Sequence, residues 1–283
     1  MNPHAPRRYL AWDTSSLTGV IAAFEEIPGG YRKVCSFSLS LETSKHSERL
    51  LWSIDAVLEA AGWQLRELAG IAVGTGPGSF TGLRIGVVTA RMLARTLAIP
   101  LVPVSSLALL ARGALPVLEL LPKPQKVLVI ACTDATKGEW FTLMGPAKRL
   151  RDCVAMADGD LAGVWGQGVI EAVMTPDEVI EEVSKRLKKD PDLAWLAFGL
   201  SVNRYPGVWD ALPKKSRICL EATDLSRISE DALVQAAHEA VQQGLERDPA
   251  RVRPRYLRAS EAEVKLKKGL LKPSPVLHRG GTG

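Results

Sequence analysis

The chain has 283 residues, 46% of them apolar and 24% charged, enough to bury a sizeable core as one large or two modest domains. No stretch reaches the roughly 18 consecutive apolar residues of a membrane-spanning helix, and MNPHAPRRYLAWD enters a strand instead of a signal-peptide apolar run, so a soluble, cytoplasmic protein is expected. The net charge of +5 is concentrated in residues 251–283, where nine Lys or Arg face Glu261 and Glu263 (local +7), leaving −2 for residues 1–250 and excluding a broadly basic body.

Residues 9–13 read as a first strand, followed by the polar turn Thr14-Ser15-Ser16, a second strand over 20–24, the turn Pro28-Gly29-Gly30 and a third strand over 32–39. Three strands before any helix argue against a doubly wound dinucleotide domain, which crosses over to a helix after its first strand. Residues 47–61 place Leu50, Ile54, Val57, Leu58 and Ala61 at helical spacing, with Gly62 as the C-terminal cap. A short buried strand over 71–73, a glycine-rich segment, a helix to about residue 98, a strand over 101–104 and a helix over 106–113 complete the first half in the order βββαβαβα. Residues 114–126, rich in proline, read as a linker.

The second half is expected over 127–258. Its elements are a buried strand over 127–132, a turn plus strand over 134–143, a helix over 177–188, weaker strands over 195–198 and 217–220, and a helix over about 230–243. Residues 259–283 read as a basic, disordered tail that either touches nucleic-acid phosphates or is simply solvated. The fold class is therefore α/β, in two halves that could be divergent copies of one unit.

The strongest local signal is GTGPGSFTGLRIG, Gly74 to Gly86, between a strand and a helix, where glycine-rich loops often cradle phosphates. It matches neither a phosphate-binding P-loop, having no Lys, nor the dinucleotide fingerprint or nucleophile elbow, because Gly78 falls at the wrong spacing for both. Gly82, Gly86, Ala90 and Ala94 recur every four residues, a face that a second helix can approach closely. Arg84, Arg91 and Arg95 share the other face, either solvated or directed at a protein partner. Asp13, Thr14 and Ser15, at the end of the first strand, are candidates for a nucleotide-phosphate site, as in the similar turn of actin-like and sugar-kinase folds. On residue types alone they are ordinary turn residues. His4, His46, His238 and His278 show no metal-ligand spacing, and Cys35, Cys132, Cys153 and Cys219 form no C-x-x-C pair, so no metal site is expected and the thiols read as buried and reduced.

Taken in order, Asp13-Thr14-Ser15, His46-Ser47, GPGSFTGLRIG from Gly76, Asp134-Ala135 with Gly138-Glu139, and the segment Pro254-Arg255-Tyr256-Leu257-Arg258 resemble the bacterial TsaB (YeaZ) family, long labelled glycoprotease-like or M22-peptidase-like. The resemblance covers roughly residues 9–260 and weakens over about 147–213. It implies an actin-like (ribonuclease H-like) fold of two related halves. It also implies a non-catalytic subunit, with no catalytic residue of its own, in the complex that transfers a threonylcarbamoyl group to N6 of adenosine 37 in tRNAs reading ANN codons. The implied partners are a catalytic TsaD-like subunit, a TsaE-like ATPase and, through the complex, tRNA, with a homodimer possible for the isolated chain. ATP and a divalent metal would act in the partner subunits, none being required by this chain. The interface would use the helix near His46 and the helix after the glycine-rich loop, so His46, Leu50, Gly82, Arg84, Gly86, Ala90 and Arg91 are the expected interface residues. The alternative is a stand-alone actin-fold phosphotransferase or ATPase using Asp13; a metalloprotease is more remote.

Overall fold

A computed structural model describes residues 6–40, 46–119, 126–152, 168–218 and 223–258. The first sheet contains β1 (Arg7–Asp13), β2 (Thr18–Ile27), β3 (Gly30–Ser40), β4 (Leu68–Gly74) and β5 (Leu101–Val104) in the order β3-β2-β1-β4-β5. β2 runs antiparallel to both its neighbours, whereas β4 is parallel to β1 and β5. The second sheet contains β6 (Val127–Asp134), β7 (Trp140–Pro146), β8 (Ile170–Met174) and β9 (Ala194–Phe198) in the order β8-β7-β6-β9. Its pairing repeats the first: two antiparallel steps on one side of the leading strand and a parallel strand on the other. Each sheet is thus a meander whose first strand becomes central when the chain crosses over through a helix.

The leading strands read as continuous apolar runs because both faces of each sheet are covered. In β1, Tyr9 and Ala11 face a core between the two sheets, whereas Leu10 and Trp12 face an outer core under α1 (His46–Ala61) and α2 (Phe80–Leu97). In β6, Val127, Val129 and Ala131 face the same central core, whereas Leu128, Ile130 and Cys132 turn to an outer core under α6 (Pro176–Lys189). That outer core holds Trp140, Trp209 and Trp195, whose rings stack at centroid distances of 5.9 and 5.8 Å. Two helices fill the space between the sheets: α3 (Ser106–Arg112), buried on every side, and α8 (Glu230–Gln242). Shorter helices are α4 (Leu115–Glu119), α5 (Ala147–Asp152) and α7 (Leu200–Arg204).

The expected division at residue 126 is corrected in one respect. α8 packs on β1, β2, β3 and β5, and Arg247 forms a bridge with Leu101 of β5, so the chain after residue 230 returns to the first half. The expected linker carries α4, with Ala114 and Leu115 buried; residues 120–125 lie outside the described set, as does the expected tail 259–283. Of the expected strand over 217–220, Arg217 makes one isolated bridge to Trp195, and residues 219 and 220 lie outside the described residues. Cys132 is buried, which pushes its thiol up to about 12, whereas Cys35 is only half-buried; Cys153 and Cys219 lie outside the described residues.

Candidate functional site: the first turn, the glycine-rich loop and the cleft

Asp13, Thr14 and Ser15 are all buried. Ser15 donates its backbone N–H (2.8 Å) and its hydroxyl (2.6 Å) to Oδ1 of Asp13, and Ser106, at the start of α3, donates its hydroxyl to Oδ2 (2.6 Å). Enclosure raises the Asp13 carboxyl above the ordinary carboxylate range, with the three donors acting in the opposite direction. The turn is covered by the chain's own glycine-rich loop. Ser79 donates its backbone N–H to the Ser15 carbonyl at 2.6 Å, and the Thr14 hydroxyl donates to the Gly82 carbonyl at 2.7 Å. A Cβ on Gly82 would stand 2.0 Å from the Thr14 carbonyl oxygen, and one on Gly86 2.2 Å from Thr14 Oγ1. The glycines therefore serve close backbone packing, seating the start of α2 on the turn after β1. Asp13, Thr14 and Ser15 make a closed hydrogen-bonded knot that a phosphate or its metal would have to break, so the residues present do not fit that group. Among the described residues no group of three His, Cys, Asp or Glu is placed to hold a metal ion.

The small-residue face of α2 is corrected in the same way. Gly82, Gly86, Ala90 and Ala94 are buried within this chain, under β1 and β4, and Leu50 of α1 is fully buried with them, so these positions are not an exposed docking face. The physical reason is the narrow gap between α2 and the turn after β1, which admits no larger side chain. His46 opens α1, but its side chain lies outside the described residues. Arg84 is exposed, its guanidinium 3.8 Å from the Phe80 ring centroid and its Nε donating to the Tyr256 hydroxyl at 3.1 Å. Arg91 is half-buried and donates through Nε to the Pro249 carbonyl. The outward sides of the two helices carry different residues: Trp52, 81% exposed, with Leu51 on α1, and Val88 with Met92, 65% exposed, on α2. No helical-spacing pattern singled these out, because they interrupt the charged outer faces without forming a stripe of their own.

Between the halves lies a cleft of about 430 Å³, lined on one side by Gly78, Ser79, Phe80 and Arg84 and on the other by the β6–β7 turn from Asp134 to Lys137. Residues 255–258 form its third wall. The turn is held by the Thr136 N–H on Asp134 Oδ1 (2.6 Å) and by Arg204 on Asp134 Oδ2 (3.0 Å). Sequence reasoning missed both Ser106, whose role depends on a contact 93 residues away, and the cleft-lining role of residues 255–258.

Residues 40–266 match the family model described as TsaD: tRNA N6-adenosine threonylcarbamoyltransferase. The tRNA threonylcarbamoyladenosine biosynthesis protein TsaB of Bacillus subtilis is 29% identical over 90% of this chain and 96% of its own length. The Escherichia coli protein of the same name is 28% identical over 78% of this chain and 84% of its own length. The solved structure of YeaZ from Pseudomonas aeruginosa superposes with a TM-score of 0.63 and 25% identity over 88% of this chain and 99% of that one. With two sheets of the same pairing pattern flanking a cleft, the fold is actin-like, and the chain belongs to the TsaD-type family, within its TsaB (YeaZ) group.

Proposed function

We propose that this chain is the scaffold and activating subunit of the machinery that places threonylcarbamoyl on N6 of adenosine 37 in tRNAs reading ANN codons. It docks on a TsaD-like catalytic subunit through the outer surface of α1 and α2. Its similarity to proteins named for that biosynthesis, over most of both chains, supports the pathway. The observation that carries the docking role is the exposure of Trp52, Leu51, Val88 and Met92 on two helices that touch each other and cover the same face of the first sheet. The closed hydrogen-bonded knot around Asp13 supports a subunit that does not itself handle the nucleotide, and speaks against the phosphotransferase alternative. A TsaE-like ATPase would dock on the assembled pair, tRNA would be bound by the whole complex, and ATP and the divalent metal would be held by the partners. The cytoplasm is the compartment for such a role; among the described residues no helix is long and apolar enough to cross a membrane. The isolated chain can pair with itself through the same apolar surface until the partner takes it.

The test is binding to a purified TsaD-type subunit by calorimetry. Trp52→Asp combined with Met92→Asp should weaken the complex by about a hundredfold, since buried aromatic anchors dominate interface energies, while circular dichroism and melting stay as in the parent. Undiminished binding by a folded double variant would remove these helices from the interface.

A further inference from the structure

We infer that residues 247–258 form a latch that fixes the angle between the two halves and so sets the width of the cleft. The first part of this segment is fastened to the first half. Arg247 and Leu101 exchange backbone hydrogen bonds (3.0 and 2.7 Å), Val252 is fully buried in the outer core under α1 and α2, and Arg255 donates its backbone N–H to the Thr75 carbonyl at 2.7 Å. Tyr256 lies with its ring 4.9 Å from Phe80 and accepts from Arg84. The side chains at the end of the segment reach the second half. Arg255 forms a salt bridge to Glu171 of β8, whose carboxylate is almost wholly buried. Arg258 donates to the carbonyls of Ala135 and Thr136 and to the Thr136 hydroxyl (2.7 Å), and lies 3.5 Å from a carboxylate oxygen of Glu139.

Backbone anchors on one half and two guanidinium anchors on the other make a strap along one wall of the cleft, while α3 and α8 pack in the central core. Folds of two lobes around a cleft open by hinge rotation, with packed elements acting as the pivot. Here α3 and α8 supply a pivot and the two arginines supply the restraint. The pairs are only partly exposed, so salt screens them less than surface pairs. Because Tyr256 also touches Phe80 and Arg84 at the start of α2, the latch links the surface of that helix with the β6–β7 turn.

Pulsed electron spin resonance on the full chain tests this directly. Spin labels are attached at Thr81→Cys, beside Phe80, and at Asn203→Cys, beside Arg204, with Cys35, Cys153 and Cys219 replaced by Ser. The latched protein should give one narrow distance distribution, and Arg255→Ala with Arg258→Ala should add a longer, broader population while the melting transition stays cooperative. A distribution unchanged by the double substitution overturns the latch. If that variant fails to fold, Arg258→Lys, which keeps the charge but cannot span several oxygens, is read by the same criterion. Broadening supports the latch, and an unchanged narrow distribution overturns it.

Discussion

At the scale of single residues, Asp13 shows how a side chain placed like a phosphate-site group can be held in the chain's own hydrogen bonds. Asp, Thr and Ser at a strand end fit a phosphate-approaching turn, yet all three are enclosed, and both oxygens of the carboxylate accept hydrogen bonds from Ser15 or Ser106. Burial raises its pKa, so the folded state binds a proton more readily than the unfolded chain. The sign follows. The stability that this residue contributes is fully present below the unfolded carboxylate pKa and is lost as pH rises through the raised folded value. Asp13→Asn, neutral at every pH, should therefore gain on the parent protein as pH increases above about 4. Urea unfolding of both proteins from pH 4 to 8 measures this; a stability difference that stays constant across that range would contradict it.

At the scale of elements, the legible parts were those where local pattern and tertiary setting agree. Leu50, Ile54, Val57 and Leu58 fix α1 at helical spacing, and the apolar run before Asp13 fixes β1, because both bury those residues against the same sheet. β8 was not legible: it is a five-residue strand of intermediate burial that among the described residues pairs with β7 and lies at the sheet edge, so no apolar alternation marks it. The small-residue face of α2 was seen but assigned to the wrong neighbour. Spacing says that something packs closely there and does not say whether it is a partner or the chain's own turn. Ala90 lies in the outer core, fully buried. Ala90→Arg should accordingly destabilise the fold itself by about 3–5 kcal/mol, since it buries a long cation without a partner. Chemical denaturation of the isolated chain checks this, and a parent-like unfolding midpoint would place the side chain at the surface instead.

At the scale of the whole molecule, two sheets of the same pairing pattern flank a cleft, and the return of the chain after residue 230 ties them together. The duplicated architecture was foreshadowed by the strand-strand-strand-helix order of the first half. The return was not, because nothing in the local sequence of α8 says which sheet it will cover. The candidate site was legible as motifs and misplaced as surfaces: GPGSFTGLRIG closes over Asp13, and the exposed apolar residues are Val88 and Met92 on the outer side of the same helix and Leu51 and Trp52 on α1. The proposed function gives the chain a docking and activating role, with the chemistry in its partner. The most direct measurement is threonylcarbamoyl-adenosine formed on unmodified tRNA by a purified TsaD-like subunit and its ATPase, supplied with threonylcarbamoyl-adenylate. Product should accumulate only when this chain is added, and Asp13→Asn, if folded, should support it as well as the parent does. Modification that proceeds at the full rate without the chain, or transfer by the chain alone, would contradict the account.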